Sequence, residues 1–503
     1  MKPGTVFLVG AGPGDPELIT VKGRRVLERA GAIFYDNLAP RELLDLAPER
    51  AERVYVGKKR ATHAYSQEQI SRMLIARARE GKTVVRLKGG DPLTFGRGGE
   101  EMEALAEAGI PFEIVPGITT PSGIAAYCGV PLTHREFNSM VTFVTGHAPE
   151  KIDWEKVAAA ETIVLFMALV QFEEIARRLI AAGKSPETPA LAVRWATRAD
   201  QRTVAAPLAE LARRIREAGM KPPATFVVGE VVRLRDKLDW FEKLPLFGRR
   251  IAVTRAREQA AALTGKLREL GAGAVETPVI EIRELSDYSE LDAAISRLES
   301  YDWLVFTSVN GVRYFLKRLD ASERDWRSVR GRICAIGPAT ARELERLHMK
   351  VDLTPEEYVA EALIEAFAPY PLEGRRVLIP RAKVAREVLP VQLRERGAEV
   401  DVVPAYETGI PEDAADRCRE ALAKGLDWVT FTSSSTVRHF VEAAGAESLE
   451  KVRIASIGPV TSATVRSYGL EVAVEARPYT IEGLVAALCE AEAGRAAPAG
   501  RRS

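Results

Sequence analysis

Short runs of β-branched and apolar residues alternate along the chain with longer stretches whose apolar positions recur every three to four residues. In the first third the short runs are "TVFLVG" (5–10), "AIFYD" (32–36), "RVYVG" (53–57), "TVVRLKG" (83–89) and "FEIVPG" (112–117). Between them "ELITVKGRRVLERA" (17–30), "SQEQISRMLIARAREG" (66–81) and "GGEEMEALAEAG" (98–109) carry the helical spacing, the last closed by Gly109. Strand–helix alternation of this kind predicts an α/β architecture with largely parallel sheets. A first series of units ends near "EKLPLFGRR" (242–250), and a new strand, "IAVTR", follows without a Gly/Ser linker. Residues 491–503, "AEAGRAAPAGRRS", lack periodicity and predict a disordered tail.

The second half repeats its own pattern. "LRELGAGAVETPVIE" (267–281) matches "LRERGAEVDVVPAYE" (393–407), and "DWLVFTSVNGVRYF" (302–315) matches "DWVTFTSSSTVRHF" (427–440). "ICAIGPATARELERLHMKV" (333–351) matches "IASIGPVTSATVRSYGLEV" (454–472). The three blocks keep one order at a spacing longer than a solenoid repeat, which predicts a duplicated domain of two similar α/β lobes with a cleft between them.

Composition narrows the function classes. With 503 residues the chain exceeds a single domain, and 71 Lys+Arg against 70 Asp+Glu leave no basic field for general nucleic-acid binding. No apolar run approaches a membrane span, and the start "MKPGTVFLVGAG" has no long apolar leader. Cys128, Cys334, Cys418 and Cys489 are widely spaced and read as buried thiols of a reducing cytoplasm. The five histidines form no HxxH or HExxH pattern, so no catalytic metal is expected.

The segment Val9–Pro16, "VGAGPGDP", leaves the first strand with the look of a dinucleotide fingerprint. A phosphate-holding turn of that kind needs G-x-G-x-x-G, with free N–H groups at a helix start. Here Asp15 takes the third glycine position, a carboxylate where an anion would sit, and Pro13 has no N–H to offer. Two readings fit: a pocket wall for a small neutral or cationic ligand, or a tight turn with Asp15 capping a helix that Pro16 starts. In open α/β sheets ligands bind beyond the carboxyl ends of the strands. Those ends here read Gly10–Asp15, Asp36, Gly57-Lys58, Gly89-Gly90-Asp91 and Pro116-Gly117. Each alone is an ordinary solvated turn, and five together make a site.

With these strings in view, residues 1 to about 245 resemble the tetrapyrrole methylases, and within them the uroporphyrinogen-III C-methyltransferases. The carrying motifs are "VGAGPGDPELIT", "VVRLKGGDPLTFGRGGEE", "VPGIT", "VPLTHR", "TGH" and "VVGEVV". The resemblance implies S-adenosylmethionine as cofactor, held between two α/β subdomains. It would lie against Pro13, Gly89, Gly90, Asp91, Thr94, Thr119, Thr120, Met167 and Ala196, although Met167 equally suits a core position. A sulfonium donor carries no phosphate, so Asp15 is compatible with it. The resemblance further implies Asp36 as proton acceptor and Lys58 as proton donor, with Arg97 and Glu100 engaging the substrate and assisting deprotonation. The bland alternatives are a helix-start ion pair for Arg97–Glu100 and a solvated charge for Lys58. A polycarboxylate substrate needs cations, for which Lys88, Arg97 and Arg135 are candidates. The chain departs from the family pattern at Asp36-Asn37-Leu38-Ala39, where Asp-x-Leu-Val is usual, and at "GITTPSGIAAYCG".

Residues 248 to about 490 resemble the uroporphyrinogen-III synthases through "FTSVNGVRYF", "AIGPATA", "LIPRA", "PAYET", "FTSSSTV", "SIGPVT" and "YTIEGLV". That family cyclises hydroxymethylbilane while inverting its last pyrrole ring, so the protein mainly folds a flexible polyanion into one geometry. Hydroxyls and N–H groups at helix starts suit its carboxylates. Thr307, Ser308, Asn310, Thr340, Ser433, Ser434 and Thr461 sit at such predicted starts, where each could equally be a plain N-cap. Arg255, Arg381 and Arg386 follow strands and can face the cleft. Tyr406 could protonate the departing hydroxyl, and Ile280 at the equivalent repeat position means the duplicated fold does not itself demand a tyrosine.

The expected architecture is therefore α/β throughout: a tetrapyrrole methylase fold of two subdomains over 1–245, then a duplicated two-lobed synthase fold over 246–490. One lobe would take 248–280 and 408–490, the other 281–407. The expected activity is cyclisation of hydroxymethylbilane to uroporphyrinogen III and its methylation to precorrin-2, serving siroheme or cobalamin synthesis in the cytoplasm. The resemblance implies a homodimer through the methylase half, with small tetrapyrroles as partners and neither nucleic acid nor membrane. Two alternatives stay open. The methylase could act on another substrate, and the duplicated half could be a non-catalytic two-lobed binding module.

Overall fold

The computed structural model describes residues 2–57, 65–355, 360–385 and 387–496. The chain divides into two compact units, Met1–Ile251 with Gly265–Ala274 and Leu488–Ser503, and Ala252–Thr264 with Val275–Ala487.

The first unit carries two five-stranded sheets. In the first, β1 (Val6–Gly10), β2 (Ala32–Tyr35), β3 (Glu52–Tyr55), β4 (Val84–Lys88) and β5 (Phe112–Val115) lie in the order β3-β2-β4-β1-β5, parallel throughout. The near-continuous apolar runs of the inner strands β1 and β4 are buried on both faces, as a helix-covered parallel sheet requires. Phe7 and Val9 pack into one core, Val6 and Leu8 into another, following the two-residue alternation of a strand. All five strands point the same way, so Gly10–Asp15, Asp36, Gly57, Gly89–Asp91 and Pro116–Gly117 emerge at one edge.

Two features depart from the periodicity. The stretch 17–30 is not one helix: Thr20 stays extended and accepts the Gly23 N–H (3.1 Å), separating a 3-10 turn at Pro16–Leu18 from the helix Val21–Leu27. The second sheet is also mostly antiparallel. It comprises β6 (Val141–Thr145), β7 (Thr162–Phe166), β8 (Pro189–Arg194), β9 (Arg202–Pro207) and β10 (Ala224–Val228), ordered β6-β7-β10-β8-β9. Only β6 and β7 pair in parallel. The short β8–β9 connection cannot make the crossover that a parallel pair needs.

The duplicated half forms two sheets. One holds β11 (Arg250–Val253), β12 (Gly273–Glu276), β18 (Trp428–Phe431), β19 (Arg453–Ser456) and β20 (Val474–Glu475), ordered β12-β11-β18-β19-β20. The other holds β13 (Glu281–Arg283), β14 (Trp303–Phe306), β15 (Arg332–Ala335), β16 (Arg376–Ala382) and β17 (Glu399–Gly409), ordered β13-β17-β16-β14-β15. Matching the sequence repeats pairs β12 with β17, β11 with β16, β18 with β14 and β19 with β15, so these four strands keep one order in both sheets, while β20 adds beyond β19 and β13 beyond β17. The chain passes between them on β13 and the end of β17, which pair antiparallel.

The helix Ile481–Ala496 runs through residues 491–496, part of the stretch expected to be a disordered tail; 497–503 lie outside the described residues. Alanine-rich sequence favours the helix, and Glu492 is buried against Arg249 (2.6 Å). Cys128, Cys334 and Cys418 are buried, whereas Cys489 is only partly so.

Candidate functional site

At the strand-end edge of the first sheet the backbone itself converges. Gly12 and Gly90 exchange hydrogen bonds (3.2 and 2.7 Å), and Ala11 N–H donates to the Lys88 carbonyl (2.7 Å). A Cβ on Gly10 would lie 2.5 Å from Gly117 Cα, and one on Gly117 would lie 2.3 Å from the Gly90 carbonyl oxygen. These glycines let three strand ends touch. Asp15 caps the 3-10 turn through the Glu17 N–H (2.9 Å), and Pro16 begins that turn. Asp15's own N–H donates to Thr197 Oγ1 (2.8 Å), while Tyr127 Oη donates to its carboxylate (3.2 Å). The elbow thus presents carboxylate and carbonyl oxygens, a donor-poor rim unsuited to a diphosphate and suited to a neutral or cationic ligand.

Most residues predicted for a cofactor surround this elbow. Pro13 packs on Gly123, whose Cβ would meet it at 2.6 Å, and Gly14 approaches the Ala196 carbonyl oxygen. Thr120 Oγ1 lies against Gly90, and Thr119 starts the helix Thr120–Tyr127. Gly89 sits against Leu38. Asp91 ties its own loop, accepting from the Leu93 and Thr94 N–H groups (2.9 and 3.1 Å), from Thr94 Oγ1 (3.3 Å) and from the Gly117 N–H (3.1 Å). Met167 is 56% exposed with φ 52°, which removes the core reading of this methionine. Phe95 reaches Phe166 at the end of β7, with ring centroids 4.8 Å apart.

Asp36 follows β2 with its carboxylate held by the Leu38 N–H (3.0 Å) and Arg86 (3.1 Å). Arg97 and Glu100 form an exposed two-bond fork (2.9 and 2.6 Å) at the start of the helix Gly98–Glu107, the ion pair raising the Arg97 pKa and lowering that of Glu100. Arg135 is exposed. Lys88 departs from expectation: it does not face the cleft but is buried, its ammonium on Glu101 (3.0 and 3.1 Å), and burial lowers its pKa. A lysine whose Nζ–H groups are directed to a buried carboxylate cannot meet a substrate. Lys58 lies outside the described residues. Sequence reasoning missed Arg86 and Glu101; an arginine inside the apolar run "VVRLK" was the available signal.

In the duplicated half, Ser308 caps the helix Val309–Asp320 through the Gly311 N–H (2.9 Å), and its Oγ lies 3.0 Å from Tyr406 Oη. Tyr406 is buried, which raises its pKa, and it stacks on Tyr314 at 5.6 Å. Arg255 donates to Gln259 (3.1 Å), and Gln259 donates to buried Asn310 (3.1 Å). Burial lowers the Arg255 pKa, and among the described residues no carboxylate lies within ion-pair reach of it. Thr307 is half-buried beside Ser308. Thr340 and Thr461 are buried in the first turns of the helices Pro338–Glu345 and Pro459–Ser467, which begin at glycines without a side-chain cap. Ser433 caps the helix Ser434–Ala444 and Ser434 accepts from Thr464 (2.8 Å). Arg381 is buried and pairs with Glu387, and Arg386 lies outside the described residues. Gln259, overlooked in the sequence, joins two predicted residues.

Among the described residues no group of three or more His, Cys, Asp or Glu is placed to hold a metal, and no helix is long and apolar enough to cross a membrane.

Comparison with known proteins divides the chain in two. The family model for Tetrapyrrole (Corrin/Porphyrin) Methylases matches residues 5–212, and that for Uroporphyrinogen-III synthase HemD matches residues 261–486. The Porphyrin biosynthesis protein HemD of Ruminiclostridium josui is 37% identical over 501 residues, covering 98% of this chain and 99% of its own length. The Siroheme synthase of Stutzerimonas stutzeri (strain A1501) is 50% identical over 250 residues, 49% of this chain and 54% of its own length. Among solved structures, a Uroporphyrin-III C-methyl transferase from Thermus thermophilus complexed with S-adenyl homocysteine is 43% identical, with 46% of this chain and 100% of that chain covered and a TM-score of 0.41.

Proposed function

This chain belongs to the HemD family of porphyrin-biosynthesis proteins, its halves matching the tetrapyrrole methylases and the uroporphyrinogen-III synthases, and on that premise we propose how the two activities are divided and carried out. The enzyme is bifunctional: it cyclises hydroxymethylbilane to uroporphyrinogen III and methylates that product to precorrin-2, for siroheme or cobalamin synthesis. Residues 1–245 perform the methylation and 246–490 the cyclisation, the latter in lobes of 248–280 with 408–490 and of 281–407. The enzyme works in the cytoplasm as a homodimer through its methylase half, without nucleic acid.

The cofactor, S-adenosylmethionine, supplies an electrophilic methyl group when bound. The carboxylate-rimmed, donor-poor elbow fits a cation of that kind. Pro13, Gly89, Gly90, Thr119, Thr120, Met167 and Ala196 would hold it, while Asp91 and Thr94 shape the loop around it. Asp36 accepts the proton that leaves the methylated ring, Lys58 donates one, Arg97 and Glu100 engage the substrate and assist deprotonation, and the cations Arg97 and Arg135 at the exposed rim meet the substrate's carboxylates. Lys88 has no part in substrate contact. In the synthase half Arg255, Thr307, Asn310, Thr340, Arg381, Arg386, Ser433, Ser434 and Thr461 grip carboxylates. Tyr406, aligned by Ser308, protonates the leaving hydroxyl; burial keeps its phenol protonated.

The observation that carries this reading is the family relationship over nearly the full length of one chain, with the two family matches in sequence. Incubating the purified chain with hydroxymethylbilane, with and without S-adenosylmethionine, tests it. Type-III isomer is expected without cofactor and precorrin-2 with it. Failure of the first would remove the synthase, and failure of the second the methylase.

A further inference from the structure

Beneath the proposed methylation site, three charged groups that no step above uses, Arg86, Lys88 and Glu101, join the proposed proton acceptor Asp36. Arg86 stands mid-strand in β4, between Val85 and Leu87, with its side chain buried. Its guanidinium donates through Nη2 to Asp36 (3.1 Å), through Nη1 to the carbonyls of Phe34 (3.3 Å) and Leu87 (3.0 Å), and through Nε to Glu101 (3.3 Å). Glu101, 0% exposed, also accepts from Lys88 and from Gln67 (2.8 Å). Two cations and two carboxylates therefore balance inside the fold. Removing such groups from water is costly, and apolar side chains of similar volume would stabilise a core at least as well. The arrangement does fix geometry: from within the sheet, a rigid planar fork grips Phe34 in β2 and Asp36 just beyond its end. Glu101 sits next to Glu100 on the helix that presents Arg97.

We propose that Arg86 is a positioning residue for methyl transfer, aiming the Asp36 carboxylate, and that Glu101 and Lys88 keep its fork in register. The inference rests on Asp36 being the proton acceptor. The full-length chain is assayed for methylation, with turnover expressed per S-adenosylmethionine bound at equilibrium so that loss of folded protein does not count. Arg86→Met is expected to lower that turnover about 100-fold, the scale of a small misplacement of a reacting group, with cofactor affinity unchanged. Arg86→Lys, which keeps the charge and loses the fork, is expected to recover part of it and serves as the deciding variant should Arg86→Met not fold. A merely structural role would lower the melting temperature and the number of binding sites while leaving turnover per site intact in both variants, and that result would overturn the proposal. Asp36→Asn is measured alongside: wild-type turnover there would instead remove the proton-acceptor reading on which the inference rests.

Discussion

The methylase and synthase halves build their proposed sites from different backbone materials. Among the described residues of the first unit, Phe95, Arg97, Met167, Trp195 and Thr197 hold left-handed φ angles of 52–69°, in the segments that follow β4, β7 and β8. Such conformations cost of order 1–3 kcal/mol each and persist only where the surroundings impose them. The synthase helices instead begin at residues near φ ±165°, Ser308, Gly337, Ser433 and Gly458, which is ordinary extended backbone. A small, compact cofactor calls for one rigid pocket, whereas a flexible polyanion is folded by many similar hydroxyl and N–H donors. Loss of one residue should therefore hurt the two activities unequally.

Arg97→Ala sharpens that contrast most: methylation should fall below detection in a precorrin-2 assay while cyclisation proceeds at the wild-type rate. Asp36→Asn should slow methylation by about 10²–10⁴-fold, the contribution of a general base, again sparing type-III isomer formation. In the synthase half Arg255→Met should raise KM for hydroxymethylbilane by about 10–100-fold, as expected for a charged hydrogen bond of about 1.5–3 kcal/mol, with kcat little altered. Tyr406→Phe should slow cyclisation about tenfold, and an unchanged rate would leave that half without a dedicated acid.

The smallest effect concerns stability alone. Arg77 grips Glu52 through two bonds (2.7 and 2.8 Å), with Lys82 adding a third, and lowers its carboxyl from 4.5 to about 2. Because the folded value lies below the unfolded one, this stabilisation is complete above pH 4.5 and is lost as pH falls towards 2. With a third of the side chain in solvent it amounts to about 1 kcal/mol. Glu52→Gln should remove that share of the acid sensitivity of urea unfolding over this interval, leaving both activities unchanged at neutral pH.

Much of this was legible in the sequence because the signals were local. The five strands of the first sheet follow apolar runs, Gly109 ends its helix at φ 66°, and three ordered repeats foretold two similar lobes, whose sheets share the order of four strands. The antiparallel second sheet was not, since strand direction depends on which strands pair and not on their own residues. Lys88 misled for the same reason: its position after a strand says nothing about Glu101 closing over it from a helix thirteen residues on.

Taken alone, the amino-acid order determined the α/β class, the duplication, the glycine-and-acid strand ends and the family resemblance, all of which live in spacing and residue type. Only the tertiary structure decided that Met167 is exposed, that Lys88 is withdrawn from the cleft, that Tyr406 meets Ser308 and that Arg86 holds Asp36. Those outcomes depend on packing between segments as many as 98 residues apart, where burial and hydrogen-bond partners are set by the fold and have no signature in either segment.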